Sequence, residues 1–299
     1  MGSPSVHLPV MFREVLHYLQ LSEGLSVMDG TVGAAGHSQK ILERLGSNGK
    51  LFGFDRDPMM LDHATQKITQ TSDHTNFQLF HSSYADATEV FAKSSIDGVD
   101  RVLLDLGLSS DQLADRQRGF GFDAGGPLDM RFDTSRGRTA ENLIKTANQQ
   151  QLETIFTEFG EERFAGQIAA NICQQRTRKP IQTTEDLEAC VRAAIPHGAG
   201  KGKNPATRVF QALRIAVNDE LEHVQRMMTT VLPEILKPNG IAVILTFHSL
   251  EDRIVKSAFK GQKEWQVLTK TPIESTPAEI RLNPRSRSAK LRAAIRRSP

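Results

Sequence analysis

The sequence predicts an α/β fold: a parallel sheet built from βαβ units and interrupted by a helical insertion. Three observations carry this expectation. Through roughly the first third of the chain, short apolar runs, three of them ending in an acid, alternate with helical patterns. Between about Ser110 and Val217 the strand signals give way to helical periodicity. Strand signals then resume at Ile241–Phe247, Trp265–Lys270 and Leu291–Ile295.

In chain order, Val10, Val15, Leu16 and Leu19 mark a first helix over Val10–Leu21. A first strand, Leu25–Met28, runs into Asp29-Gly30-Thr31-Val32-Gly33-Ala34-Ala35-Gly36-His37. The next helix, marked by Ile41, Leu42 and Leu45, stops at Gly46, a residue suited to a left-handed cap. Leu51–Phe54 ends at Asp55, a helix follows Pro58, Phe77–Phe80 forms a third strand, and Val102–Leu104 ends at Asp105. Within the insertion, Phe164, Ile168 and Ile172 share one helix face. Thr183 and Asp186 have capping-box spacing. Asn204 and Pro205 suit the cap and first residue of a long helix through Val209, Leu213, Val217, Leu221, Val224 and Met228.

Composition narrows the class. The chain has 299 residues, 38% hydrophobic and 24% charged, which suits a folded globular protein and excludes wholesale disorder, collagen and coiled coil. The longest uninterrupted apolar stretch, Ile241–Leu245, is far short of the about 20 residues of a membrane helix. The N-terminus has neither a signal region nor a myristoylation pattern. Cys173 and Cys190 are the only cysteines and have no metal spacing, so no structural zinc and a reduced, cytoplasmic setting are expected.

The net charge is only +2, yet the cations cluster. No acid occurs between Glu188 and Asp219, where Arg192, Lys201, Lys203, Arg208 and Arg214 lie. After Glu279 come Arg281, Arg285, Arg287, Lys290, Arg292, Arg296 and Arg297 with no acid at all. Such stretches suit either phosphate contacts or a plain solvated surface.

The turn after the first strand is the main chemical signal. Its glycines fall as G-x-x-G-x-x-G, which fails the dinucleotide pattern G-x-G-x-x-G and lacks the Gly-Lys-Ser/Thr of a P-loop. A nucleoside-type ligand without a pyrophosphate remains. Asp55, at the next strand end, is placed to accept both ribose hydroxyls. Asp105 ends the fourth strand, but the D/N/S-P-P-Y motif of many amino-directed methyltransferases is absent from that strand end.

Several blocks carry a family resemblance: His7-x-Pro9-Val10 with Glu14, DGTVGAAGHS (29–38), FDRDP (54–58), LLDLGLSSDQL (103–113), RGFGF (118–122) and GPLDMRFD (126–133). GEERFA (160–165), PATRVFQALRIAVNDEL (205–221), FHSLEDRIVK (247–256) and NPRSRSAKLR (283–292) extend it. The chain thus resembles, nearly end to end, the bacterial MraW-type (RsmH) ribosomal RNA methyltransferases. The resemblance implies a Rossmann-like class I methyltransferase domain over 1–112 and 216–299, with a helical insertion over 113–215 that recognises RNA. It implies methyl transfer from S-adenosyl-L-methionine to N4 of a cytidine in the decoding region of small-subunit (16S) ribosomal RNA.

Carried over, the cofactor contacts would be Ala35, Gly36, His37, Asp55, Tyr84, Asp105 and Gln112. Ala35 stands where the family usually has Gly, and Tyr84 where Phe is common. Candidates to hold or deprotonate the target amine are Asp105, Ser109, Ser110 and His248. For Phe247-His248-Ser249 a packed loop, with Ser249 or Glu251 capping the next helix, is an equal reading. Arg116, Arg118 and the Gly119–Phe122 run suit either stacking on a flipped base or an apolar plug. The expected partners are small-subunit ribosomal RNA or the assembled subunit, with no membrane and no metal; a homodimer stays open. Two basic patches, Arg192, Lys201, Lys203 and Arg208, then Arg285, Arg287, Lys290 and Arg292, are expected to grip RNA phosphates. The rival class is a non-catalytic ribosome-assembly factor with a vestigial or regulatory cofactor pocket. A dehydrogenase fails on glycine spacing.

Overall fold

A computed structural model of the chain describes residues 9–71, 76–121, 125–196 and 204–298. It divides into two compact units, Met1–Gly107 with Leu221–Pro299, and Leu108–Glu220. The breaks between these units fall at 107/108 and 220/221.

The first unit opens with α1 (Phe12–Leu19), β1 (Ser26–Asp29), α2 (Gly36–Leu45), β2 (Lys50–Asp55) and α3 (Pro58–Thr71). β3 (Phe77–His81), α4 (Ala87–Lys93) and β4 (Val99–Asp105) follow. The sheet order is β3-β2-β1-β4-β5, all parallel, continued by antiparallel strands from the C-terminal part of the chain. Alternation along the strands gives the sheet two apolar faces. Met28, Phe54, Val102, Leu104 and Ile244 fill one face, and Val27, Leu51, Leu103, Val243 and Leu245 fill the other. Fully burying one such side chain is worth about 1.5–3 kcal/mol, so the sheet rather than helix propensity holds this unit.

Register aligns the acids. Asp29 pairs in register with Gly53 and Leu103, and Asp105 with Leu245. Asp29, Asp55 and Asp105 therefore share the carboxyl edge of the sheet, where parallel α/β sheets receive ligands.

The second unit is helical: α5 (Ser110–Ala114), α6 (Ala140–Thr146), α7 (Gln149–Glu158), α8 (Ala165–Gln175), α9 (Thr184–Ala194) and α10 (Thr207–Asn218). Its core joins Leu143, Phe156, Ile168, Ile172, Leu187, Val209 and Leu213. The Thr183–Asp186 capping box forms as expected. The start of α10 differs. Asn204 accepts from the Ala206 amide at 2.9 Å in a turn, and the helix begins at Thr207 instead of Pro205.

The long helix expected through Met228 is also broken. Asp219 takes a left-handed conformation (φ 51), and α11 (Glu220–Arg226) restarts beyond it. Two contacts fix the break. Asn218, 2% exposed, accepts from the Phe132 amide at 2.7 Å and donates to the carbonyl oxygens of Met130 at 2.7 Å and Arg214 at 2.9 Å. Glu220 then receives the Arg214 guanidinium at 2.7 and 2.9 Å.

After α11 the helix passes through a π turn (Met227–Val231) into α12 (Leu232–Ile235). β5 (Leu236–Thr246), α13 (Ser249–Gly261), β6 (Trp265–Val267), β7 (Ile273–Glu274), α14 (Pro277–Leu282) and β8 (Lys290–Arg296) complete the first unit. β8 pairs antiparallel with β5 on one side and with β6 and β7 on the other. The strand expected at Trp265–Lys270 ends at Val267, although Leu268 still donates to the Ala293 carbonyl at 2.9 Å.

Candidate active site

The site is built on the turn between β1 and α2. Gly30 donates to the Leu103 carbonyl at 2.9 Å and Val32 to the Phe54 carbonyl at 3.0 Å, which staples the turn across three strand ends. Gly30 is required by space, since a Cβ there would lie 2.3 Å from Leu104 Cδ2. Gly33 is required by conformation, with φ +50°. Ala35, fully buried, is also left-handed (φ 57) and forms the N-cap of α2 without a side-chain cap bond. Ala35 stands where the family usually has Gly, and its left-handed backbone is one that strains an alanine. With no side-chain cap, the first amides of α2 point their hydrogens out of the turn, an arrangement suited to a carboxylate.

Asp29 braces the turn from beneath. It is 1% exposed and accepts from Ser38 Oγ at 2.6 Å and the Thr31 amide at 3.1 Å. Burial pushes its carboxyl above the ordinary range, against the Ser38 bond that lowers it. Thr31 in turn accepts from the Asp105 amide through Oγ1 at 2.7 Å. Asp29, Thr31 and Ser38 were not among the expected site residues. Their signal in sequence is an acid at a strand end with a hydroxyl residue in the first turn of the following helix.

Asp55 closes the turn from the next strand. Its Oδ2 accepts from the Gly33 amide at 2.8 Å and its Oδ1 from the Asp57 amide at 2.9 Å. Burial raises its pKa to about 6, against the two backbone bonds that lower it.

His37 and Asp105 are the least satisfied pair of the site. His37 is 6% exposed, and neither ring nitrogen has a hydrogen-bond partner among the described residues. Its Nε2 lies 3.6 Å from Asp105 Oδ2, while Asp105 Oδ1 is shielded from solvent and unpartnered. Buried polar groups are nearly always paired, so these orphaned atoms are suited to a polar ligand. The turn, the uncapped amides, Asp55 and the orphaned pair together fit a nucleoside-bearing amino acid.

The other expected residues divide. Tyr84 is nine-tenths buried in the core cluster that holds Phe54 and Phe91, and lies edge-on to His223. His248 itself, instead of Ser249 or Glu251, caps α13. Its Nδ1 faces the Glu251 amide at 3.5 Å, and Glu251 returns a carboxylate to the amides of Phe247 at 2.8 Å and His248 at 3.3 Å. Phe247 packs where Gly107 (φ 106) has no side chain, which joins the loops after β4 and β5. In the second unit, Ser109 and Gln112 form a capping box on α5, with both bonds at 3.0 Å, and Ser110 is the first residue of that helix.

The basic patches change most. Arg292 is 5% exposed and grips Asp252 with two bonds, at 2.6 and 3.0 Å. It is a buried structural cation and cannot serve as a phosphate contact, because releasing it would strand Asp252 in the core. Lys290 lies 3.9 Å from the same carboxylate. In the other patch Arg192 pairs with Glu188 and Arg208 donates to the Glu161 carbonyl at 2.7 Å, while Lys201 and Lys203 lie outside the described residues. Arg118 is also structural. It donates to the carbonyls of Arg131 and Phe132, both at 2.9 Å, and lies over the ring of Phe120, itself 7% exposed in the core. Phe120 is therefore core rather than a stacking platform, and Phe122 lies outside the described residues. Among the described residues no helix is long and apolar enough to cross a membrane.

The family model described as the MraW methylase family matches residues 4–297. A relative from Geobacter sulfurreducens is 42% identical over 96% of this chain and 98% of its own length. One from Nitrosospira multiformis is 42% identical over 99% of each, and one from Pseudothermotoga lettingae 41% over 98% and 99%. All three are named ribosomal RNA small subunit methyltransferase H.

Proposed function

Because the chain belongs to the MraW methylase family, we propose that this S-adenosylmethionine-dependent ribosomal RNA methyltransferase modifies N4 of a cytidine in the decoding region of the small subunit. The observation that carries the reading is the orphaned His37–Asp105 pair at the carboxyl edge of the sheet, beside a turn shaped for a nucleoside. S-adenosylmethionine, when bound, supplies a methyl group already activated on a sulfonium.

The chain's task is then largely alignment, a proximity effect. The uncapped amides of α2 would hold the amino-acid carboxylate, and Asp55 the ribose hydroxyls. A cytosine amine is conjugated and weakly nucleophilic. Asp105 Oδ1, without a partner among the described residues, is free to accept an N4 hydrogen, which localises the lone pair and takes up the charge that develops. The proton leaves N4 as the N–C bond forms, and Asp105 would accept it. The other carboxylate oxygen lies 3.6 Å from His37 Nε2.

Incubation with labelled S-adenosylmethionine and purified small subunits, followed by mass spectrometry of the digested RNA, tests the reading. Label on N4 of one decoding-region cytidine is expected. Label on another base or ring atom would overturn the N4 assignment. Intact cofactor binding without any transfer would favour the assembly-factor reading.

A further inference from the structure

Resting on the ribosomal RNA reading above, we propose that the knob between β7 and β8 is an RNA-docking element, with Leu282 as an apolar wedge between bases and Arg281 and Arg287 as phosphate clamps. Leu282 is 80% exposed; among the described residues the only other exposed large hydrophobic is Leu113, at 38%. A single exposed leucine means little by itself. Here it stands on a braced support beside free cations.

The knob is fixed at several points. Thr276 Oγ1 accepts from the Glu279 amide at 3.2 Å, Pro277 opens α14, and the Asn283 amide donates to the Glu279 carbonyl at 2.6 Å. Glu279 also reaches across to the Met11 amide at 2.5 Å. Ser275 before the tip and Ser286 and Ala289 after it are buried, so the segment is anchored on both sides. None of the residues of α14 is buried. The fold therefore uses a cap, a proline and one long-range bond to hold a leucine in water.

Charge complementarity selects the occupant. Arg281 and Arg287 are exposed and make no hydrogen bond or ion pair among the described residues. The one acid of α14, Glu279, is already engaged with Met11. Cations around an apolar wedge match the mixed face of RNA, with phosphates outside and base planes within. An apolar protein partner would leave the two guanidinium groups unpaired.

Position agrees. Lys290, the first residue of β8, is in register with Thr246, the last residue of β5, so the knob leaves the sheet at the carboxyl edge that also carries Asp29, Asp55 and Asp105. β4 and β8 are separated by β5 alone, or about 10 Å at the usual strand spacing. An RNA strand whose base reaches Asp105 would thus have neighbouring nucleotides within reach of Leu282. Within the C-terminal basic stretch this keeps Arg287, adds Arg281 and drops the buried Arg292.

The test measures binding of purified small subunits across about 50–200 mM salt for the wild type, Leu282→Ala, Leu282→Met and Arg281→Ala/Arg287→Ala. Loss of two phosphate contacts should lower the log–log salt slope by about 1.4–1.8. Leu282→Ala should weaken binding about tenfold without changing the slope, and Leu282→Met should restore it, since an apolar wedge is what RNA needs here. S-adenosylhomocysteine affinity, read by calorimetry, should be unchanged in all variants. Wild-type affinity and slope in the three variants would overturn the proposal. So would a change in sedimentation of Leu282→Ala with unchanged RNA binding, which would make the knob a contact between copies of this chain. If the wild type methylates small subunits while the variants bind normally, the knob proposal alone fails. If the variants bind weakly but the wild type transfers no methyl group, the functional reading fails and the knob stands.

Discussion

Cofactor affinity should fall on the acid side of neutrality because of one carboxylate. In the proposed role Asp55 accepts two ribose hydroxyls in its ionised form, yet burial has raised its pKa from 3.8 to about 6. A raised carboxylate pKa means that folding takes up a proton between those values. The protonated form therefore stabilises the free protein most below pH 3.8, and that contribution is lost as pH rises through about 6. Two hydroxyl donors favour the ionised form, so binding pushes the pKa back down and releases a proton. At about pH 5 roughly nine-tenths of Asp55 is protonated in the free protein, so affinity for S-adenosylhomocysteine should be about tenfold weaker than at pH 7.5. Titration calorimetry in buffers of different ionisation enthalpy reads both the affinity and the released proton.

Asp55→Asn separates the two roles of this group. It removes the cost of ionising a buried acid, about 3 kcal/mol for a shift of this size. It also turns an amide donor towards the backbone N–H of Gly33 or Asp57, at about 1–3 kcal/mol. Stability at neutral pH should thus change little. Affinity should drop about 10²–10⁴-fold, because two bonds to a charged acceptor, each about 1.5–3 kcal/mol, are weakened or lost. The pH dependence should vanish with it. An affinity that is flat from pH 7.5 to 5 in the wild type would refute the ribose role of Asp55.

Three further outcomes are expected. Asp105→Asn should reduce single-turnover methyl transfer at least about 10²-fold while changing cofactor affinity much less, and equal losses would confine Asp105 to the cofactor. Arg292→Ala should cost about 3–5 kcal/mol in denaturant unfolding by stranding Asp252, and Arg292→Met with Asp252→Leu should recover most of it; an unchanged midpoint in the single variant would return Arg292 to the surface. Ala35→Gly should shift stability by no more than about 1 kcal/mol, since relief of a left-handed alanine, about 1–2 kcal/mol, offsets loss of a buried methyl, about 0.8 kcal/mol. A loss above that range would mean that the Ala35 methyl fills a space a glycine cannot leave empty.

What the sequence determined by itself is local. Strand runs ending at Asp29, Asp55 and Asp105, the glycine turn and the Thr183 capping box rest on residues within a few positions of each other, so pattern and spacing suffice to read them. The alignment of the three acids on one edge also follows once the βαβ rule makes the strands parallel. What only the tertiary structure decided involves partners far along the chain. Arg292 reads as one more cation in an acid-free tail, and becomes structural only because Asp252, 40 residues earlier, is folded against it. The break at Asp219 has no glycine or proline to announce it; Asn218 holds it through Phe132 and Met130, more than 80 residues away. His37 and Asp105 meet because β1 and β4 are neighbours in the sheet, and their unsatisfied atoms exist only in that arrangement. Local propensity encodes each element, but burial and charge pairing are properties of the packed chain, and they select which of many cations and carboxylates keep their charges for function.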